Sequence, residues 1–148
     1  MKKIINRSFD EERALYASVD VQLENCRFDG IADGESALKE SRGVTADKCF
    51  FNLRYPFWHV DGFKVNSSQF TELCRAPLWY SHSGEISECQ MISPKTLREC
   101  GNIEIKKCDI NSTEFGWFCN NIKMNDCRAE GAYFMLRSSH LEFSNVYL

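Results

Sequence analysis

A short alternation of apolar and polar residues recurs along the whole chain. Residues 102–110, NIEIKKCDI, run apolar, polar, apolar, then two polar residues and a cysteine. The same outline appears in DVQLENCRF, GFKVNSSQF, NIKMNDCRA and HLEFSNVYL. Alternation with a period of two is typical of a strand with one face turned inward. Its repetition indicates a repeat architecture.

Two columns of small residues set the period. The first has spacings of 23, 19, 21, 19, 19 and 19 residues and contains Cys26, Cys49, Ser68, Cys89, Cys108, Cys127 and Val146. The second stands eight residues earlier and contains Ser18, Ser41, Val60, Ser81, Cys100, Cys119 and Ser138. Because the eight-residue half never varies, insertions must leave the coil in the other half. That half has 13 residues from Ser68 to Ser81 and 15 from Cys26 to Ser41, against 11 in the other repeats.

Each repeat contains three inward faces and three corners. One corner follows the second column, at residue types that tolerate a left-handed backbone: Asp20, Gly43, Gly62, Ser83, Asn102, Asn121 and His140. We therefore predict an all-β fold, a single-stranded right-handed parallel β-helix with three faces and about 19 residues per rung. Residues 1–148 would form one domain of about seven rungs. The structure of the first rung is left undecided, because FDEERAL could instead be a short capping helix.

The eight cysteines fit the same pattern. Five of them occupy an inward column, where a free cysteine behaves as a small hydrophobe. We expect Cys26, Cys49, Cys89, Cys108 and Cys127 to be buried, reduced and free of metal. No CxxC pair occurs and the three histidines fall in different columns, so we predict no metal site and no cofactor.

Charge and hydropathy narrow the functional class. The net charge is −3, with 18 basic and 21 acidic residues well mixed, so no basic stripe is available for nucleic acid. The N-terminal sequence has no signal-peptide pattern and no apolar run is long enough to span a membrane. A cytoplasmic protein without nucleic-acid or membrane partners is expected.

All three tryptophans share one outward column. It contains Tyr16, Lys39, Trp58, Trp79, Arg98, Trp117 and Leu136. An outward aromatic strip flanked by charges is one way to bind sugar rings, so Trp58, Trp79, Arg98, Trp117 and Lys39 are the candidate ligand-binding residues. The alternative is that the aromatic residues only stabilise the sheet by stacking between strands.

The next column carries the candidate catalytic groups. Glu40, His59 and Glu99 could supply an acid and a base, either as two carboxylates or as a carboxylate and an imidazole. Arg54 and Arg75, on successive rungs, follow acidic residues on earlier rungs, Glu35 and Glu12. Surface ion pairs are the simpler interpretation of these arginines, and an anionic ligand is the other.

Several strings resemble a known family. ADGESALKE, FFNLRYPFWH, TELCRAPLWYS, TLREC, EFGW and YFMLRSS resemble an uncharacterised bacterial domain-of-unknown-function family of right-handed, pectate-lyase-like β-helices. The resemblance covers essentially all 148 residues and implies the fold, with no established activity or catalytic residues. Members of that family are generally longer, which implies that this chain could be truncated at its C-terminal end.

The expected function is therefore a binding one. We expect a non-enzymatic β-solenoid that holds a ligand or protein partner, with carbohydrate as the favoured class, along the tryptophan column. The alternative is a polysaccharide-modifying enzyme, a lyase or hydrolase of pectate-lyase-like fold, that uses Glu40, His59 or Glu99. The last repeat keeps its apolar pattern to Leu148, so we also expect a homodimer through residues 133–148, with truncation as the rival explanation.

Overall fold

The computed structural model describes residues 2–148 as nineteen β-strands and a single three-residue 3-10 helix. In chain order the strands are Lys2–Ile5 (β1), Ser8–Phe9 (β2), Val19–Glu24 (β3), Arg27–Phe28 (β4), Arg42–Asp47 (β5), Phe50–Phe51 (β6), Phe57–Trp58 (β7), Asp61–Asn66 (β8), Gln69–Phe70 (β9), Leu78–Trp79 (β10), His82–Ser87 (β11), Gln90–Ile92 (β12), Leu97–Arg98 (β13), Gly101–Lys106 (β14), Asp109–Asn111 (β15), Glu114–Trp117 (β16), Asn120–Glu130 (β17), Tyr133–Leu136 (β18) and Ser139–Tyr147 (β19). The 3-10 helix Glu72–Cys74 lies between β9 and β10. Within residues 2–148 there is no helix of the length and apolarity needed to cross a membrane.

The strands stack turn upon turn into three faces. The first face consists of β1, β3, β5, β8, β11, β14, β17 and β19, and the second of β2, β4, β6, β9, β12, β15 and the later part of β17. The third is a separate sheet of β7, β10, β13, β16 and β18. Every pairing is parallel, and successive turns pair at a spacing of 19 residues where no insertion occurs, as in Ile103 with Ile122. The predicted all-β parallel solenoid is confirmed, with eight strands on its first face.

The first rung of the solenoid is built from β-strands like the others. Strands β1 and β2 pair in parallel with β3 and β4, and residues 10–17 form turns rather than a helix. The alternative interpretation of FDEERAL as a short capping helix is therefore wrong. The rung near Ile4 to Phe9 belongs to the coil.

Apolar columns fill the interior as the period predicts. On the second face, Phe9, Phe28, Phe51 and Phe70 form a stack, with neighbouring ring centroids 5.3, 5.0 and 4.8 Å apart. On the first face, Gly84 stands in an inward column, and a Cβ atom there would overlap the Phe63 ring. One aromatic residue thus occupies the space of two neighbouring inward positions.

The cysteine and serine columns share a structural role. All eight cysteines are free and buried, which confirms burial for the five that were predicted. Every thiol except that of Cys74 also donates to the carbonyl oxygen two residues earlier, for example Cys108 Sγ to Lys106 O at 3.3 Å and Cys127 Sγ to Asn125 O at 3.3 Å. Ser68 makes the equivalent bond from its Oγ to Asn66 O at 2.9 Å. These positions therefore require a small side chain that can donate a hydrogen bond just after a corner.

The corners rely on left-handed backbone. The predicted corner column from Asp20 to His140 has φ between 53° and 77° at Asp20, Gly43, Gly62, Ser83, Asn102, Asn121 and His140. A second left-handed column directly precedes the cysteine column and includes Asn25, Lys107 and Asp126. Asparagine and aspartate tolerate this conformation better than most non-glycine residues, which explains their frequency at these positions.

Candidate functional site

The tryptophan column lies on the outside of the third face. Trp58 pairs with Trp79, Trp79 with Arg98, and Arg98 with Trp117 along the parallel strands β7, β10, β13 and β16. None of these side chains belongs to the buried core, and each is half-buried. The prediction that the three tryptophans point outward in register is confirmed.

These side chains form a continuous stack of rings and cations. The Trp58 and Trp79 ring centroids lie 4.7 Å apart with 26° between planes. The Arg98 guanidinium carbon lies 5.3 Å from the Trp79 centroid and 4.4 Å from that of Trp117. Lys39 Nζ stands 5.4 Å from the Trp58 centroid. The structure thus brings together all five candidate ligand-binding residues, by cation–π and stacking contacts.

The stacking determines which parts of the rings a ligand can reach. Because Trp58, Trp79 and Arg98 cover one another's faces, the column presents mainly ring edges to solvent. The aromatic residues that follow in the sequence are more exposed, with Tyr80 at 36% and Phe118 at 44%. A ligand would therefore lie across the column, on tryptophan edges and on these two rings.

Unpartnered polar atoms cluster on the same surface. Within residues 2–148, the buried side-chain nitrogen and oxygen atoms without a hydrogen-bond partner are Trp79 Nε1, Arg98 Nε and Glu99 Oε2. All three belong to two adjacent turns of the third face. Buried polar atoms are nearly always paired in native proteins, and the Tyr80 hydroxyl interacts with both Trp79 and Glu99, so the middle of the column is where hydrogen-bonding capacity is only partly used.

The candidate catalytic residues occupy a corner. Glu40, His59 and Glu99 have φ values of 63°, 56° and 50°, so their column turns the chain immediately after the tryptophan column. The residue pattern predicts them on the wall beside the tryptophans and does not indicate this corner. Tyr80, which lies between His59 and Glu99 in the column, has φ 55°.

Two of the three catalytic candidates are in contact. His59 Nδ1 lies 3.5 Å from Glu40 Oε1, at the edge of a cavity of about 460 Å³ that Tyr80 and His82 also line. Glu99 stands beside Tyr80, and hydrogen bonding to its carboxylate raises the pKa of the Tyr80 phenol. Glu40 and Glu99 are three turns apart, about 14 Å at the spacing of parallel strands. Paired carboxylates of glycosidases lie roughly 5–9.5 Å apart, so the geometry favours the carboxylate–imidazole pair over two carboxylates.

The two arginines behave differently from each other. Arg54 is bound by two carboxylates, with Nη1 3.2 Å from Glu35 Oε2 and Nη2 3.6 Å from Asp33 Oδ2. Throughout residues 2–148 no carboxylate oxygen comes within 4.0 Å of the Arg75 side chain, and Glu12 makes no such pair either. The expected ion pair with Glu35 is therefore formed, and Arg75 stands alone.

Arg75 lines a groove next to the tryptophan column. The groove has a volume of about 480 Å³ and is lined by Tyr55, Glu72, Leu73, Arg75, Ala76, Trp79, Pro94, Lys95 and Arg98. We call it the basic groove. The repeat pattern does not connect Tyr55 or Lys95 with Trp79. The signal that could have pointed to the groove is the two-residue insertion in the segment between Ser68 and Ser81, which contains Arg75, because inserted loops on a repeat scaffold often carry binding residues.

A larger open groove of about 700 Å³ runs along the first face. Its charged side chains pair across turns, with Lys64 Nζ 3.9 Å from Glu85 Oε2, and Asn121 donates to Asn102 Oδ1 at 2.7 Å. No aromatic side chain other than the buried Phe63 lines it. Several of its polar groups already pair with one another, so it is a weaker candidate than the third face. Across the described part of the chain, no three His, Cys, Asp or Glu side chains are grouped as metal ligands would be.

The chain matches a protein family whose function is unknown. The family model described as "Protein of unknown function (DUF3737)" matches residues 2–148. No curated protein matches the chain. Among solved structures, one described as "Glycoside hydrolase" has 12% identity and a TM-score of 0.49 over 88% of this chain. A "putative glycosyl hydrolase" from Parabacteroides merdae ATCC 43184 has 13% identity and a TM-score of 0.42, covering 97% of this chain and 79% of that one.

The chain spans only 37% of the length of the first of these structures. At these identities and TM-scores, neither neighbour's name is evidence for the activity of this chain.

Proposed function

The chain belongs to the DUF3737 family, whose function is unknown, and we propose that it is a non-enzymatic module that binds carbohydrate along the tryptophan column. The residues of the site would be Lys39, Trp58, Trp79, Arg98 and Trp117. Tyr80 and Phe118 would extend the aromatic surface.

The observation that carries the proposal is the group of unpartnered polar atoms. Trp79 Nε1 and Arg98 Nε are donors, and Glu99 Oε2 is an acceptor. A small rotation that turns these atoms outward would bring two donors and one acceptor to the hydroxyl groups of a sugar. A buried polar atom without a partner costs about 1–3 kcal/mol, so a ligand that pairs with Arg98 Nε and takes the place of the Tyr80 hydroxyl at Trp79 and Glu99 would be favoured.

The surrounding surface suits the same ligand. Sugars combine apolar C–H faces with hydroxyl groups, and the site combines exposed aromatic surface at Tyr80 and Phe118 with charged groups at Lys39 and Arg98. The rigid parallel strands hold these groups at fixed spacing, which lowers the ordering cost of binding.

We further propose that the protein works in the cytoplasm. Eight free, buried cysteines support this compartment, because a reducing environment preserves thiols that stand on neighbouring turns.

Binding can be tested with a glycan array followed by tryptophan fluorescence titration of each hit and analysis of the products. We expect saturable binding without turnover. Trp117→Ala should weaken binding at least about tenfold, the equivalent of one lost stacking contact or hydrogen bond. Tyr147→Ala removes a more exposed aromatic residue away from the column and should leave the affinity unchanged. If no glycan binds, or if Trp117→Ala binds as the unmodified protein does, the proposal fails.

A second function is favoured by one observation, the contact between His59 and Glu40 at 3.5 Å beside a cavity. In this alternative the protein is a lyase or hydrolase, and the imidazole and carboxylate supply the base and the acid. Glu99 would act by holding Tyr80 in its protonated form. The same product analysis decides between the two functions. Cleavage of a bound glycan that is lost in Glu40→Gln and His59→Asn would establish the enzyme, and Glu99→Gln would then test the role of Tyr80.

A further inference from the structure

We propose that the basic groove takes an anionic group, a phosphate or a carboxylate, that is carried on a sugar ring. The inference rests on the proposed function, since the groove shares Trp79 and Arg98 with the tryptophan column. It adds the charge class of the ligand and a residue, Arg75, that the column does not contain.

The charges that line the groove do not cancel. Arg75, Lys95 and Arg98 oppose a single carboxylate, Glu72. In the described chain no carboxylate oxygen lies within 4.0 Å of either arginine side chain, and Lys95 Nζ reaches Glu114 Oε2 only at 4.0 Å. Arginine presents a planar set of donors that matches the oxygen atoms of a phosphate or carboxylate. Once Glu72 and Glu114 are counted, an excess of one positive charge, supplied by the two arginines, faces a cavity large enough for a monosaccharide.

Arg54 shows what a structural arginine looks like in this protein. It lies on the turn below, and Asp33 and Glu35 neutralise it at 3.6 and 3.2 Å. Arg75 has the same side chain one turn higher without either partner. The difference is specific to the groove, because the insertion that carries Arg75 brings no carboxylate to it apart from Glu72, which stands outside ion-pair distance.

The backbone at Arg75 is also unusual. With φ 59° and ψ −71° it closes the 3-10 helix Glu72–Cys74 in a conformation close to a γ-turn. This conformation is rare and strained, and strained residues concentrate at ligand sites, where the surrounding structure holds them in place. Arg75, held in this conformation, lines the groove together with Trp79.

Aromatic side chains complete the site. Tyr55 packs edge-on against Trp58 and Trp79, with centroid distances of 5.6 and 5.9 Å. The aromatic side chains of Tyr55 and Trp79 thus stand next to the basic side chains of the groove. A ligand needs a ring as well as a negative charge to contact both. A sugar phosphate and a sugar acid share this chemistry.

The experiment is isothermal titration of the purified protein with glucose, glucose 6-phosphate, glucuronate and inorganic phosphate at low and high NaCl. We expect at least one of the anionic sugars to bind about tenfold or more tightly than glucose and than inorganic phosphate, with an affinity that falls as salt rises. The stronger of the two anionic sugars identifies the source of the charge. Arg75→Gln should reduce that affinity about tenfold or more, and the matched variant Arg54→Gln should change it less than about twofold.

The other outcomes overturn the proposal in distinguishable ways. If neutral and anionic sugars bind equally, or if Arg75→Gln has no effect, the basic groove is not the anion site, although the tryptophan column can still bind glycans. If inorganic phosphate binds as tightly as the sugar phosphate, the ring makes no contribution and the proposal is wrong. If no saccharide binds in this titration or on the glycan array, both proposals fail together.

Discussion

The guanidinium carbon of Arg98 lies 4.4 Å above the centroid of the Trp117 ring. On its other side the same guanidinium faces Trp79 at 5.3 Å. A cation held between two indole rings is a stabilising contact whether or not a ligand is present, so the tryptophan column must contribute to folding as well as to any binding. The two roles can be separated by comparing stability with affinity in the same variants.

Replacing Arg98 should measure the stabilising part. We expect Arg98→Ala to lower the free energy of unfolding by about 1–2 kcal/mol, because it removes two cation–π contacts and the packing of the arginine stem. Urea denaturation followed by circular dichroism measures the change. The exposed Arg128, replaced in the same way, is the control and should change stability by less than about 0.5 kcal/mol. Equal effects of the two variants would show that the stack does not stabilise the fold.

Ser68 is the one serine in the cysteine column, and its replacement tests what this column requires. Its buried Oγ accepts from Cys49 N at 3.0 Å and donates to Asn66 O at 2.9 Å. Ser68→Val keeps a small side chain but leaves a buried N–H unpaired, which should cost about 1–3 kcal/mol of unfolding free energy. Ser68→Cys restores the residue found on the neighbouring turns and should stay within about 1 kcal/mol of the unmodified protein. A valine variant as stable as the cysteine variant would show that only size matters in this column.

Ser68 also illustrates how far sequence alone could go. The columns of small residues and the apolar alternation predicted the solenoid, its period and its inward faces, because burial of one face leaves a direct trace in the residue pattern. The hydrogen bonds of the thiols and hydroxyls leave no such trace, so cysteine was interpreted there only as a small hydrophobe. The resemblance to an unknown-function β-helix family is confirmed by the family match.

The candidate site was less predictable than the fold. The stacking of Trp58, Trp79, Arg98 and Trp117 followed from register, because 19-residue and 21-residue spacings place them on successive turns. The corner at His59 could not be identified, since the tyrosine and the glutamates that share its column are not residues that usually signal a left-handed backbone. The basic groove depends on where an inserted loop returns to the coil, and repeat periodicity carries no information about that.

Thiol chemistry should distinguish the buried cysteines. Burial raises the pKa of Cys49 to about 11 and that of Cys74 to about 12, and it also raises the pKa of Cys100. A pKa above its ordinary value means less thiolate at a given pH. At pH 8, about one in ten thiols with a pKa near 9 is ionised, against about one in ten thousand with a pKa near 12. We expect little native reaction with a thiol-specific disulfide reagent at pH 8, and reaction of all eight cysteines after denaturation.

Cys89 should be the exception in that experiment. Hydrogen bonding from Cys108 lowers the pKa of Cys89. If one native cysteine reacts slowly, mass mapping should identify it as Cys89, and Cys89→Ser should remove that reaction. Fast native reaction of Cys49 or Cys74 would contradict the burial of these thiols. Stoichiometric zinc in the purified protein would contradict the prediction that the cysteines are free of metal.

Self-association through residues 133–148 stays a prediction. Strand β19 pairs with β17, and Leu141, Phe143 and Leu148 expose 37%, 38% and 77% of their surface although they follow inward columns. A second copy that covers these side chains would bury apolar surface. Light scattering should show a discrete dimer that Phe143→Lys converts to a monomer. A monomer at high concentration would exclude this interface.

Gly84 and Phe63 should be energetically coupled. A Cβ atom at Gly84 would overlap the Phe63 ring on the turn below, and both residues are enclosed by packed strands. Gly84→Ala should therefore lower the free energy of unfolding by about 1–3 kcal/mol through overpacking, even though alanine has the better intrinsic propensity. In a Phe63→Leu background the smaller side chain leaves room for the added methyl group, so the same alanine should cost much less or become stabilising. A double-mutant cycle by urea denaturation gives the coupling, which we expect to exceed about 1 kcal/mol. Additive effects would mean that the coil shifts locally to accommodate the methyl group, and the close fit of neighbouring turns would then not be what excludes larger residues from this position.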